Sequence, residues 1–474
     1  MSLTSNADAE ASSGWWSGPA GLREILTVAL PLMISAGCFT VTLFVDRTLL
    51  LFLSEDAMAA SLPGGNLYWL LSCLPLGAAS MTGAFIAQAI GSGRPRAVGP
   101  ILGHASLLSL ATLPVYVSLI PMTRTILSWA HHPPELLELE TTYVRILLLG
   151  STGAVIEAAL AGFFNGTERT GITLLVNLAA TIVNLVLDVL LIFGFLGFPQ
   201  LGIAGAEYAT VISFWFKAAV YGALILRPTE RIAYGITRPG PIQLDLLRRL
   251  LYFGIPAGVH YLAESSAFAL IVLQVGSLGS AALAATTMAI NFNMLAFIPL
   301  LGVSNATSVL VGQHLTRSGP RLAIRATLGA LALGLVYSGL WMVAYLFFPD
   351  QILSLYGSSP WHGGMTDASL LETAAVLLRF VAVYCLFDAT QVVLAGALRG
   401  AGDTWFVLVA FALNSMAVAI IGLLGSGLME DGLSWWWIVL TGWVVSLALT
   451  MTARFLSGAW QTKRLLENTL PLAH

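Results

Sequence analysis

The chain has 474 residues, of which 57% are hydrophobic and 9% charged, with a formal net charge of −3. Soluble domains carry roughly a quarter of their residues as charges, so an ordinary soluble fold is excluded and no nucleic-acid partner is expected. Apolar runs of about 20 residues, each enough to cross a ~30 Å hydrocarbon layer as a helix, recur throughout in place of the alternation of a β-barrel.

Breaking the runs at Gly, Pro and charge clusters predicts twelve spans, starting near Leu22, Ala59, Ala97, Leu139, Thr170, Leu201, Leu246, Ala281, Arg321, Leu370, Thr404 and Leu433. The polar stretch before them lacks the basic start and cleavage site of a signal peptide, so the first span is expected to be retained. Span 1 contains "TVTLFVDR", an acid inside an apolar run. Asp46 is too short to reach the interface, whereas Arg47 is long enough and points about 100° away around the helix. Cys38, Cys73 and Cys385 all fall inside apolar runs, so no disulfide framework follows. His131 and His132 precede two prolines in a loop with no acid or Cys at ligand spacing, and no metal site is expected there.

Span 5 reads "NLVLDVLLIFG", placing Asn184 and Asp188 one turn apart on one helix face. A carboxylate and an amide oxygen form a partial shell for Na⁺ or a hydrogen-bonded proton carrier, or else an interhelical hydrogen-bond pair. Glu157 and Glu207 lie nearer span ends and read as structural. Span 7 carries His260 and Glu264 on one face, and span 10 carries Asp388 with Gln391 one turn on. A buried charge costs roughly 2.5–3.5 kcal/mol on insertion scales, so these acids need a cavity or a cation. Lys217 is one candidate partner. The "SWWWIVL" of span 12 reads as an interfacial aromatic belt. No nucleophile elbow, HExxH, paired CxxC, Walker A or dinucleotide fingerprint occurs, and an enzyme is not expected.

Lys and Arg cluster in alternate loops, Arg399 counted among them, so both termini are expected in the cytoplasm. A shift of 225 positions carries Arg23 to Arg248, Pro31 to Pro256, Gly77 to Gly302 and Gln88 to Gln313. A shift of 234 then carries Arg145 to Arg379, Gly166 to Gly400 and Thr170 to Thr404. The fold expected is all-α, with twelve transmembrane helices in two pseudo-symmetric six-helix bundles, an architecture usual for secondary transporters. Its parts are a tail over 1–20, an N-lobe over 21–227, a linker over 228–244, a C-lobe over 245–464 and a tail over 465–474. The acids do not repeat: Asp46 matches Ile271, Glu264 matches Phe39 and Asp388 matches Ala154.

Taken in order, several stretches resemble the multidrug and toxic compound extrusion (MATE) family from about Gly21 to Arg464. They are "PLMISAGCFTVTLFVDR", "GFFNGTERTGI", "NLAATIVNLVLDVLLIFG", "LGIAGAEYAT", "GIPAGVHYLAESSAFAL", "VGQHLTRSG" and "LAGALRGAGDT". The resemblance implies an N-lobe cation site of Asp46, Asn184, Asp188 and Thr210, with Na⁺ as the metal if the coupling ion is sodium. It also implies a C-lobe site for cation and substrate at Glu264 and Asp388, which His260 and Gln391 adjoin. Holding both sets, the chain looks closest to the prokaryotic NorM branch. Arg47, where a small polar residue is usual, and the long loop "YGSSPWHGGMTDASLLE" depart from the pattern. The implied protein is a monomeric multi-pass inner-membrane antiporter in the lipid bilayer. It would export small organic, cationic or amphiphilic substrates against inward Na⁺ or H⁺, with no cofactor. The alternative is a lipid-linked oligosaccharide flippase of the wider superfamily, which would need basic cavity residues rather than this excess of acids.

Overall fold

The computed structural model of the chain describes residues 14–129, 133–236, 242–357, 368–427, 429 and 431–466. His131, His132 and most of the long loop between spans 9 and 10 lie outside the described residues. Twelve of the described helices are long and apolar enough to cross a membrane. They are α1 (Leu22–Leu50), α2 (Asp56–Gly91), α3 (Pro95–Ser128), α4 (Pro134–Gly166), α5 (Thr170–Phe193) and α6 (Ile203–Ile225). The second set is α7 (Leu244–Gly276), α8 (Ala281–Arg317), α9 (Pro320–Phe347), α10 (Ser369–Ala401), α11 (Thr404–Leu424) and α12 (Gly432–Leu456).

Starts at Leu22, Thr170, Ala281 and Thr404 are those expected, while α2 and α4 begin earlier than their apolar windows. Capping explains both shifts. The Ser54 hydroxyl accepts from Ala57 N–H at the head of α2. Pro134 stands at the first turn of α4 with Glu135 beside it, where a missing N–H costs nothing and a negative charge is favoured. Pro31 and Pro256, equivalent under the 225-residue shift, sit inside α1 and α7 and each removes one helical hydrogen bond.

Each packing pair in the first bundle recurs six spans later. Helix α2 packs on α4 as α8 does on α10, α4 on α6 as α10 on α12, and α1 on α5 as α7 on α11. Across the seam α1 meets α8 and α2 meets α7, which are also equivalent pairs. Two repeat-related glycines bring these backbones together. A Cβ on Gly77 would lie 2.5 Å from Gly258 Cα, and one on Gly302 would lie 2.5 Å from the Leu32 carbonyl carbon. Overpacking of this kind costs about 1–3 kcal/mol. Gly77→Val and Gly302→Val are therefore each expected to lower the thermal midpoint of the purified protein, with Gly37→Ala, which meets open space, leaving it unchanged.

Contacts between the halves gather at the end of the bundle that carries the chain termini. There His314 Nε2 lies 2.9 Å from Glu24 Oε1, and Gln88 Nε2 donates to Gly400 O at 2.9 Å. Ile25, Val28, Ala29 and Leu32 share an apolar cluster with Val303, Ala306 and Leu310. Farther along the seam Trp69 Nε1 donates to Ser265 Oγ at 3.0 Å.

Three expectations change. Trp436 and Trp437 are 2% and 1% exposed and belong to the core of the second bundle. There the Trp437 indole donates to Thr286 Oγ1 rather than standing in an interfacial belt. Arg399 lies within α10, 6% exposed, rather than in a loop. Leu465 and Leu466, read as the start of a tail, are buried at 0% and 4%. Gln88 Oε1 accepts from Leu465 N–H, and Arg249 Nε donates to Leu465 O.

Candidate functional site

Helix α5 carries a polar stripe down the face it turns to α1. Asn177 Nδ2 donates to Ser35 Oγ at 2.5 Å, and the Thr42 and Thr181 hydroxyls approach to 3.4 Å. Continuing that stripe by one turn and then another reaches Asn184 and Asp188, 1% and 0% exposed. With the Asn184 amide nitrogen facing the carboxylates, it donates to Asp46 Oδ1 and to Asp188 Oδ2, both at 3.3 Å. One amide thus bridges acids from two helices, and the two carboxyls lie within hydrogen-bonding reach of each other. The second Asp188 oxygen, Oδ1, is fully buried without a partner. Buried like charges in contact are strongly unfavourable unless a proton or cation lies among them.

A third acid joins this group. Glu207 on α6 is 3% exposed, hydrogen-bonds with the Tyr143 hydroxyl and lies within electrostatic range of Asp46 and Asp188. Glu207 stands near the start of α6, as read, and its carboxyl turns toward the group around Asp46. Its signal was present in "GAEYAT", where Glu207 precedes Thr210 by three residues and so shares its helix face. Thr210 is part-buried and makes no hydrogen bond to Asp46, Asn184 or Asp188 among the described residues. Arg47 acts on Asp46 and on Tyr143 through its charge.

The second bundle gathers its own acids. His260 Nε2 stands 3.9 Å from Glu264 Oε2, and the Glu264 side chain keeps 26% exposure. Gln391 Nε2 donates to Asp388 Oδ1 at 3.3 Å, and Asp388 is within electrostatic range of Glu264. The imidazole of His260 is 3% exposed and packs edge-on to Phe411 with centroids 4.3 Å apart. Beneath these groups sits a cation absent from the expected set. Arg399 donates to Tyr261 Oη at 3.0 Å and to Ser304 Oγ at 2.9 Å, and its charge reaches Glu264 and His260.

Lys217 serves neither group. Its ammonium lies 2.5 Å from Glu157 Oε1, with the two side chains 15% and 16% exposed, so the suggested pairing with Glu264 or Asp388 does not form. Among the described residues no cluster of three or more His, Cys, Asp or Glu has the spacing of a metal site.

The family model described as MatE matches residues 31–190 and 256–424, one stretch in each bundle. The multidrug resistance protein NorM of Burkholderia vietnamiensis is 30% identical over 434 residues, covering 90% of this chain and 92% of its own. The multidrug resistance protein PmpM of Pseudomonas aeruginosa is 29% identical over 403 residues, 81% of this chain and 80% of its own. Among solved structures, an outward-facing multidrug resistance MATE transporter of the MOP superfamily superposes with a TM-score of 0.83. It is 20% identical, with 93% of this chain and 97% of that one covered.

Proposed function

The chain belongs to the MatE family of multidrug efflux transporters, and from that premise we propose that it is a secondary antiporter. It exports organic cations or cationic amphiphiles in exchange for Na⁺ or H⁺ entering the cell. One observation carries this reading: buried Asn184 and Asp188 on α5 meet half-buried Asp46 on α1, with buried Glu207 of α6 within electrostatic range, a group of acids that needs a positive charge to be stable. In the second bundle Glu264, with Asp388, His260 and Gln391, supplies acidic charge that remains part-exposed. Acids gathered in both bundles select cations, which favours this reading over a flippase with a basic cavity for pyrophosphate.

Mechanistically, the two bundles rock about the seam where α1 meets α8 and α2 meets α7. In this arrangement the seam is closed at the end holding the termini, which we assign to the cytoplasm of a multi-pass inner-membrane monomer. A coupling ion entering from outside binds the first group, with Thr210 as a further oxygen in one arrangement of the lobes. Its binding drives exchange only if it favours one arrangement and weakens substrate there, because a ligand with equal affinity for both shifts nothing.

Glu264→Gln and Asp388→Asn test the second group. Each is expected to slow efflux of a permanently charged organic cation from proteoliposomes by at least about tenfold, close to 1.4 kcal/mol. Efflux of a neutral amphiphile of equal size should change less than twofold. Equal losses for both probes would remove Glu264 and Asp388 from substrate recognition.

A further inference from the structure

On the termini side, the seam between α1 and α8 holds a cavity of about 580 Å³ whose walls come from both bundles. Trp16, Arg23, Glu24 and Glu168 line it from the first half, and His314 and Arg317 from the second. The equivalent place on the other side of the molecule is filled by the chain itself. There residues 464 and 465 cover the turn at Gly402, and Arg249, the repeat mate of Glu24, donates to Leu465 O. Glu168 is the repeat mate of Gly402, and both hold positive φ, 61° and 102°. The two turns are thus alike in backbone, yet one is covered by chain and the other opens on the cavity.

The cavity's polar groups ask for a particular partner. His314 is 5% exposed; its Nε2 engages Glu24, while its buried Nδ1 has no partner. Glu168 Oε1 is likewise buried without one. Burial and the neighbouring Glu24 raise the Glu168 pKa, while His314 and Arg317 act the other way. A buried carboxyl oxygen and an imidazole nitrogen together suit a cationic group bearing N–H donors. Arg23 and Arg317, both exposed at the rim, suit an anion. Trp15 and Trp16, 61% and 59% exposed, sit just before α1, and exposed indoles at the end of a span favour lipid headgroups.

We propose that this cavity binds the phosphoethanolamine headgroup of a membrane aminophospholipid, with its ammonium on Glu168 and His314 and its phosphate between Arg23 and Arg317. Because both halves wall the cavity, the bound headgroup favours the arrangement closed at the termini end and is released when the halves part. A choline headgroup has the same charges but no N–H donors, which makes the proposal sharply testable.

Native mass spectrometry of the full-length protein in detergent, with lipids of identical acyl chains, reads the site directly. One phosphatidylethanolamine is expected to be retained at least about tenfold better than phosphatidylcholine or phosphatidylglycerol. Glu168→Asn, chosen because Asn tolerates a positive φ, should abolish that preference, and Arg317→Gln should lower retention of all three lipids alike, neither lowering the thermal midpoint measured in phosphatidylcholine. Equal retention of the ethanolamine and choline lipids would overturn the proposal, as would phosphatidylglycerol binding equally well. Displacement by millimolar soluble glycerophosphoethanolamine would assign the headgroup chemistry to a free metabolite and overturn the lipid source.

Discussion

Asp188→Asn is expected to reduce ion-driven export by at least about a hundredfold, close to 2.7 kcal/mol, while the protein stays folded. Asparagine is nearly isosteric and keeps an oxygen to face Asn184, so the packing of α5 on α1 is retained. What disappears is the charge of a group 0% exposed whose Oδ1 has no partner in the protein. Substrate-for-substrate exchange with no ion gradient should persist, because it needs only the rocking of the bundles. Proteoliposomes with an imposed Na⁺ or H⁺ gradient, run beside such exchange, separate the two. Wild-type rates in both modes would remove Asp188 from coupling; loss of both would mark it as structural.

The second large effect concerns stability. Lys217→Met leaves Glu157, only 16% exposed, without its ion partner, the Lys217 ammonium having stood 2.5 Å from it and over the Phe214 ring. Breaking one side of a fully buried pair costs about 3–5 kcal/mol, and of this part-buried one less, whereas replacing both sides is often close to neutral. The repeat supplies the replacement. Under the 234-residue shift Glu157 matches Gln391 and Lys217 matches Met451, which is fully buried. The double variant Glu157→Gln/Lys217→Met places the second bundle's residue types at both positions, leaves no unpaired charge, and should recover most of the stability lost in the single variant. Chemical denaturation in detergent checks this, and a double variant no more stable than Lys217→Met would contradict it.

The twelve spans were readable because a membrane helix must satisfy its backbone internally and show lipid an apolar surface over its whole length. The pseudo-symmetry was readable because proline and glycine set backbone shape. Pro31 and Pro256 sit inside equivalent helices, and Gly77 and Gly302 mark equivalent close approaches. The grouping of Asp46 with Asn184 and Asp188, now visible as the end of a polar stripe on α5, was expected from resemblance and from one-turn spacing.

What stayed hidden were contacts between side chains far apart in sequence. Whether Glu207 turns to Asp46 or to lipid depends on how α6 is rotated against α5, and composition near a span end carries no such information. Arg399 looked like a loop cation because it stands near a helix end. Its guanidinium instead finds Tyr261 and Ser304, from two other helices. Lys217 and Glu157 are 60 residues apart, and neither residue's neighbours in sequence name the other. The tryptophans of α12 misled for a related reason. An indole near a span end serves a belt or a core equally well, and only the partner, Thr286 for Trp437, decides.

Antiport through these acids requires that the ion and the substrate oppose each other at equilibrium, and linkage makes that effect reciprocal. The most direct measurement is the Kd of a fluorescent organic cation for the purified protein, titrated against Na⁺ at fixed pH and against pH without Na⁺. The wild type should bind the dye more weakly, by at least about fivefold, as one of the two ions rises, and Asp46→Asn should show a flat response to both. A wild-type Kd indifferent to both ions, or an Asp46→Asn protein with the full response, would contradict ion coupling at this site.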